Sequence, residues 1–221
     1  LTLFELAEET AAAQPLTEFK ISGLQANKCE FAAGDQHLLL GVRSNRRAAE
    51  RMRVVDLAAD AQIIETAETH SDPVSSLCFS PDGLRFASSD NSGIIRIWDV
   101  RAGKVLHTIQ AHTGNIVELC FSRDGRMLYS AGHRDKIVSA WDSESGDWLA
   151  TTKPLSQPVQ DLTLSPDGDA LVVGHWGSNF PRYDAETLQP LEPLKVPRAN
   201  RLQYSPDGEF VAVSRNNGDE P

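Results

Sequence analysis

The sequence predicts an all-β protein built from repeated four-stranded antiparallel units. Three observations predict it. A turn phrase recurs at a near-constant interval, a second phrase is interleaved with it at the same interval, and apolar runs of strand length flank the turns. The 221 residues are 40% hydrophobic and 24% charged, which supports a packed core over a disordered chain.

The turn phrase reads Phe79-Ser80-Pro81-Asp82-Gly83, Phe121-Ser122-Arg123-Asp124-Gly125, Leu164-Ser165-Pro166-Asp167-Gly168 and Tyr204-Ser205-Pro206-Asp207-Gly208. Its intervals are 42, 43 and 40 residues, and a weaker copy, Phe31-Ala32-Ala33-Gly34-Asp35, stands 48 residues before the first. Proline presets the backbone for a turn, aspartate bonds the backbone ahead of it, and glycine accepts positive φ. Each copy therefore reads as a hairpin. The second phrase is Ile95-Arg96-Ile97-Trp98-Asp99 and Val138-Ser139-Ala140-Trp141-Asp142. Looser copies end in Phe4-Glu5, Val55-Asp56 and Tyr183-Asp184. Two phrases sharing a period near ~42 fit the roughly 40–45 residues of a four-stranded propeller blade.

These residues resemble the WD-repeat family, strongest from His70 to Ser143 and weaker on both sides. The resemblance implies a β-propeller whose blades run a, b, c, d from the central channel outward. In the best blade, strand a is expected near Val74–Ser80, b near Leu84–Ser89, c near Ile94–Asp99 and d near Val105–Gln110. The chain is expected to open with strands c and d over residues 1–23, near Thr2–Leu6 and Leu16–Ile21. Four full blades follow at about 24–68, 69–111, 112–153 and 154–193. Strands a and b close it over 194–221, near Arg201–Ser205 and Phe210–Ser214. That makes about five blade equivalents. Part of a larger, seven-bladed or longer ring is expected; a closed five-bladed ring, sealed by strands from the two chain ends, is the alternative.

The family resemblance also implies a buried network of His before strand a, Ser or Thr in b, Asp in the b–c turn and Trp in c. His112, Ser130, Asp135 and Trp141 match all four, although one extra residue precedes Asp135. His70, Ser88 and Trp98 match three, with Ser92 where the aspartate is expected and Asp90 nearby. A buried carboxylate beside a histidine is tolerable only when hydrogen-bonded. Ser, His and Asp together also suggest a nucleophilic triad; each member sits at its scaffold position, so the structural role is expected and no catalytic residue is assigned. The six histidines show no helical or paired-cysteine spacing, so neither metal nor other cofactor is expected. Cys29, Cys78 and Cys120 are too far apart in sequence to suggest a disulfide framework.

The formal net charge of −10 speaks against nucleic acid and anionic membrane as partners. Two b–c loops stand out. The first, 43–53, gathers five arginines including Arg46, Arg47 and Arg51; the second places Trp176 between glycines. Arginine forks suit carboxylates or phosphates, and an exposed tryptophan suits an interface. The expected function is a non-catalytic scaffold that binds partner proteins or peptides, with no small-molecule ligand evident. Its contact residues are expected to be Arg46, Arg47, Arg51, His133, Arg134 and Trp176, on the top face. A cytoplasmic setting is expected. The alternatives are a hydrolase-type propeller enzyme with a channel-facing site, or the sensory or docking part of a multidomain protein.

Overall fold

A computed structural model of the chain describes residues 2–6, 13–18, 24–31, 37–44, 51–56, 62–66 and 70–215. The described residues contain twenty strands. They are β1 (Thr2–Leu6), β2 (Ala13–Glu18), β3 (Leu24–Phe31), β4 (His37–Ser44), β5 (Arg51–Asp56), β6 (Gln62–Glu65), β7 (Val74–Phe79), β8 (Arg85–Asp90), β9 (Ile94–Asp99) and β10 (Lys104–Gln110). Then come β11 (Ile116–Phe121), β12 (Met127–Gly132), β13 (Val138–Asp142), β14 (Trp148–Thr151), β15 (Asp161–Leu164), β16 (Ala170–Gly174), β17 (Gly177–Asp184), β18 (Pro190–Ala199), β19 (Arg201–Tyr204) and β20 (Val211–Ser214). Four antiparallel four-stranded sheets, β3–β6, β7–β10, β11–β14 and β15–β18, are flanked by the two-stranded sheets β1–β2 and β19–β20. We number the four full blades one to four in chain order.

The turn phrase builds every a–b hairpin in blades two to four and in β19–β20. Its serine hydroxyl donates to the aspartate two residues on, at 2.5–2.6 Å, and accepts the amide five residues on, at 2.9–3.0 Å. The glycine amide closes the turn onto the serine carbonyl, with φ of +68 to +88°. The aspartate of the second phrase does the same work at the other hairpin. Asp99, Asp142 and Asp184 accept backbone amides of the c–d turns at 2.6–2.9 Å.

The core lies between blades, not within them. Trp98 and Phe86 face blade one and pack with Leu39 and Val54, while Ile95 and Ile97, alternating on the same sheet, pack with Ile116, Leu119 and Leu128 of blade three. Tyr129 and Ala140 then join Val159, Leu171 and Val173 of blade four. A sheet covered on both faces needs apolar residues in consecutive positions. This explains why β8, β12 and β16 are buried almost throughout. Polar ties cross the same junctions. Arg85 donates to Ser143 O (2.9 Å) and Gly125 O (3.2 Å), joining blades two and three; the Tyr129 hydroxyl donates to Ala185 O (2.9 Å), joining three and four.

Two boundaries lie several residues from expectation. Strand β2 begins at Ala13, three residues before the expected Leu16. Strand β18 runs to Ala199, past the expected limit at 193, in spite of Pro190, Pro193 and Pro197. An outermost strand bonds on one side only, so proline costs it little. Pro181 in β17 coincides with a register shift between Phe180 and Arg182 against β18. Among the described residues, the sheets β1–β2 and β19–β20 each pair only within themselves.

Candidate interaction face

Antiparallel order puts all b–c turns and d–a segments at one end of the blades, and the a–b and c–d turns at the other. The first end is organised by two buried hydrogen-bond chains. In blade two, Trp98 Nε1 donates to Ser88 Oγ (2.8 Å), Ser88 lies 2.6 Å from His70 Nε2, and His70 Nδ1 lies 2.8 Å from Asp90 Oδ2. In blade three the corresponding distances are 2.9 Å from Trp141 to Ser130, 2.7 Å from Ser130 to His112 and 2.9 Å from His112 to Asp135. The indole can only donate and an ionised carboxylate can only accept. The proton order follows: Trp N–H to Ser, Ser O–H to Nε2, and Nδ1–H to Asp. That order is the one for a neutral histidine, with its proton on Nδ1.

Blade two thus has a complete chain, with Asp90 in the role that the sequence pattern assigned to the Ser92 position. The two blades deliver the carboxylate by different routes. Asp90 follows Ser88 by two residues; in blade three that position is Gly132, and Asp135 folds back into the space. A Cβ on Gly132 would stand 2.0 Å from Asp135 Oδ1 and 2.3 Å from His112 Nδ1. The routes are not equal in quality. Asp90 Oδ1 accepts from the Ser92 amide (3.0 Å), the Ser92 hydroxyl (2.6 Å) and the Ile94 amide (3.1 Å), whereas Asp135 Oδ1 is buried without a hydrogen-bond partner. The extra residue in this turn is accommodated by Lys136 at φ +61°, where blade two uses Gly93 at φ +87°.

Electrostatics match this difference. Burial would raise the Asp90 pKa, but hydrogen bonds from His70, Ser92 and Ile94 outweigh it and hold the carboxyl below its ordinary value. Burial depresses the His112 pKa below the ordinary 6.5, more than Asp135 can restore. Both Ser-His-Asp sets have the internal distances of a nucleophilic triad. Ser88 and Ser130 are nevertheless completely buried beneath their tryptophans, so no substrate can reach either hydroxyl.

Of the contact residues expected from sequence, Arg46 and Arg47 lie outside the described residues, and Arg51 opens β5 with its side chain outside them. His133 is half-buried and bonds Val159 O at 2.9 Å, so its ring braces the next d–a segment. Arg134 is exposed in the blade-three b–c turn, and Trp176, 36% exposed, lies in that of blade four. The sequence reading missed Asn91, Ser92, Thr113, Gly114 and Asn115, which with Arg134 line a cavity of about 400 Å³ at this end. They come from the blade-two b–c turn and the d–a segment that follows that blade, and no single motif contains them.

A second concavity, of about 680 Å³, is lined by strands β7, β11, β15, β19 and β20. Its acids already have structural partners. Glu118 accepts from Ser76 (2.7 Å) and Asp161 from the Leu202 amide (2.8 Å), each across a blade junction. Among the described residues, no group of three His, Cys, Asp or Glu is placed to hold a metal ion.

The family model described as WD domain, G-beta repeat matches residues 61–99 and 103–142. The chain is 26% identical over 159 residues to a WD repeat-containing protein WDS homolog of Arabidopsis thaliana, covering 69% of this chain and 30% of that protein. It is 31% identical over 137 residues to a guanine nucleotide-binding protein subunit beta of the same plant, covering 58% and 36%. It is 25% identical over 172 residues to the target of rapamycin complex subunit wat1 of Schizosaccharomyces pombe, covering 73% and 54%. The chain thus spans about a third of the first two relatives and about half of the third. With two consecutive repeats matched, and with the interleaved phrases building one four-stranded blade after another, the chain carries WD repeats and is similar to WD-repeat proteins.

Proposed function

We propose that the chain is a non-catalytic docking scaffold, which binds partner proteins or peptides on the face made by its b–c turns and d–a segments. One observation carries this reading: turns from successive blades converge at that end and present Arg134, Trp176 and a polar cavity on a rigid base. Loops held by a packed framework are the usual place for recognition. Two of the relatives are named as subunits, one of a guanine nucleotide-binding protein and one of the target of rapamycin complex. A channel-facing hydrolase is the weaker reading, because Glu118 and Asp161 are engaged in joining blades.

The test is to pan a random peptide library on the immobilised chain and map the bound peptides by hydrogen exchange. Protection is expected at 91–93, 111–115, 133–137 and 175–177. A Trp176→Ala, Arg134→Glu double variant should lose the selected peptides. Protection confined to the a–b and c–d turns, or retention by the double variant, overturns the proposal.

A further inference from the structure

The cavity between blades two and three has an unusual lining. It holds Asn91, Ser92, Thr113, Gly114, Asn115 and Arg134: one cation, no anion and no apolar side chain. Much of its hydrogen-bonding capacity is already committed. The Asn91 amide donates to Pro73 O (3.1 Å), and Asn115 O accepts from the His133 amide (3.1 Å). The Thr113 amide donates to Asp135 Oδ2 (3.3 Å), and the Ser92 hydroxyl donates to Asp90 Oδ1 (2.6 Å). The Asn91 and Asn115 carboxamides, the Thr113 hydroxyl and the Arg134 guanidinium are left without a protein partner among the described residues. Four side chains with N–H or O–H donors therefore surround one space.

Gly114 shapes the arrangement. A Cβ there would stand 2.8 Å from Arg134 Cδ and 3.2 Å from Cγ, so the arginine stem lies flat across the glycine. The stem is supported along its length, which lowers the entropy cost of using the guanidinium.

Resting on the docking function proposed above, we propose that this cavity is the subsite for one carboxylate side chain, Asp or Glu, of an acidic peptide segment in the partner. A planar guanidinium matches a carboxylate with two parallel bonds, and the two carboxamides and the threonine hydroxyl supply further donors. The charge count selects a monoanion over a phosphate dianion. Arg134 is the one cation in the lining, and the carboxylates of Asp90 and Asp135 lie directly behind Ser92 and Thr113. A second ligand charge would face those two acids with no cation to offset it. Asn91 and Ser92 come from blade two and Arg134 from blade three, so the subsite exists only where the two blades meet.

Fluorescence anisotropy on the full chain tests this with three labelled peptide pools. Their random flanks are identical, and the central residue is Glu, Gln or phosphoserine. The Glu pool should bind about tenfold more tightly than the Gln pool, as expected for one charge-assisted contact. Arg134→Gln should erase that difference. Gly114→Ala, which keeps the charge but displaces the arginine stem, should shrink it at least threefold. Arg134 is exposed, so its variant should keep the wild-type melting temperature. Equal binding of the Glu and Gln pools, or a preference that survives Arg134→Gln, overturns the carboxylate subsite. Tighter binding of the phosphoserine pool than of the Glu pool also overturns it. Peptides that protect this face without preferring Glu leave the docking function standing and remove only the subsite. Peptides that protect the opposite end remove both.

Discussion

Asp135 shows how much a single buried oxygen can decide. One of its oxygens bonds His112 while the other has no partner, so the blade-three chain is satisfied at one end only. Asp135→Ala strands the His112 Nδ1–H and should lower stability by about 1–3 kcal/mol, read as a shifted urea midpoint. Gly132→Ala places a methyl inside the same carboxylate and should cost at least as much. The double change Gly132→Asp, Asp135→Ala moves the carboxylate to the blade-two route and should recover part of the loss. A double variant less stable than either single one would show that the routes are not interchangeable. Lys136→Gly removes a left-handed non-glycine residue and should raise stability by up to about 1 kcal/mol, less the entropy that glycine adds to the unfolded chain. The pH dependence has a definite sign. The folded pKa of His112 lies below 6.5, so the unfolded chain binds that proton first as the pH falls. This contribution is complete above pH 6.5 and is lost below it. The Asp90 contribution is lost only below the ordinary 3.8. Thermal melts between pH 7.5 and 5 should therefore show a falling midpoint, and His112→Asn should flatten that slope.

At the scale of elements, burial separates inner from outer strands. Strands β8, β12 and β16 are enclosed on both faces, whereas β10, β14 and β18 are largely exposed. Hydrogen exchange should find the b-strand amides protected to the level of global unfolding and the d-strand amides released by local opening. Uniform protection across a blade would contradict this. The same division explains what could be read from sequence. Strand β9 falls on the expected residues, Ile94–Asp99, because its tryptophan, its aspartate and the turn phrase before it have local causes. The length of β18 was hidden, because prolines that normally end a strand are harmless at a free edge. The Asp90 role was hidden for another reason. The pattern assigned the carboxylate to a position in the chain, while the histidine requires it at a position in space. The cavity around Arg134 was the least legible feature. Arg134 stood out from sequence, but Asn91 and Asn115 acquire meaning only when neighbouring turns meet.

For the whole molecule, the polar ties and the apolar clusters tell one story. Arg85 and Tyr129 each reach from one blade to the next, and each hydrophobic cluster draws side chains from two blades. Arg85→Ala should destabilise by about 1–2 kcal/mol, because it leaves the Gly125 and Ser143 carbonyls with one donor fewer. Denaturation of wild type and variant side by side checks this. Among the described residues, β20 pairs only with β19, and Phe210 beside it is 69% exposed. The isolated chain should therefore self-associate with rising concentration, and a Phe210→Lys, Val211→Lys variant should sediment as a smaller species. The placement of the core has one more consequence. The repeat is the unit of inheritance, but the seam between two repeats is the unit that excludes water. A cut at a repeat boundary splits a seam and wets both halves, so a single excised repeat should not fold on its own.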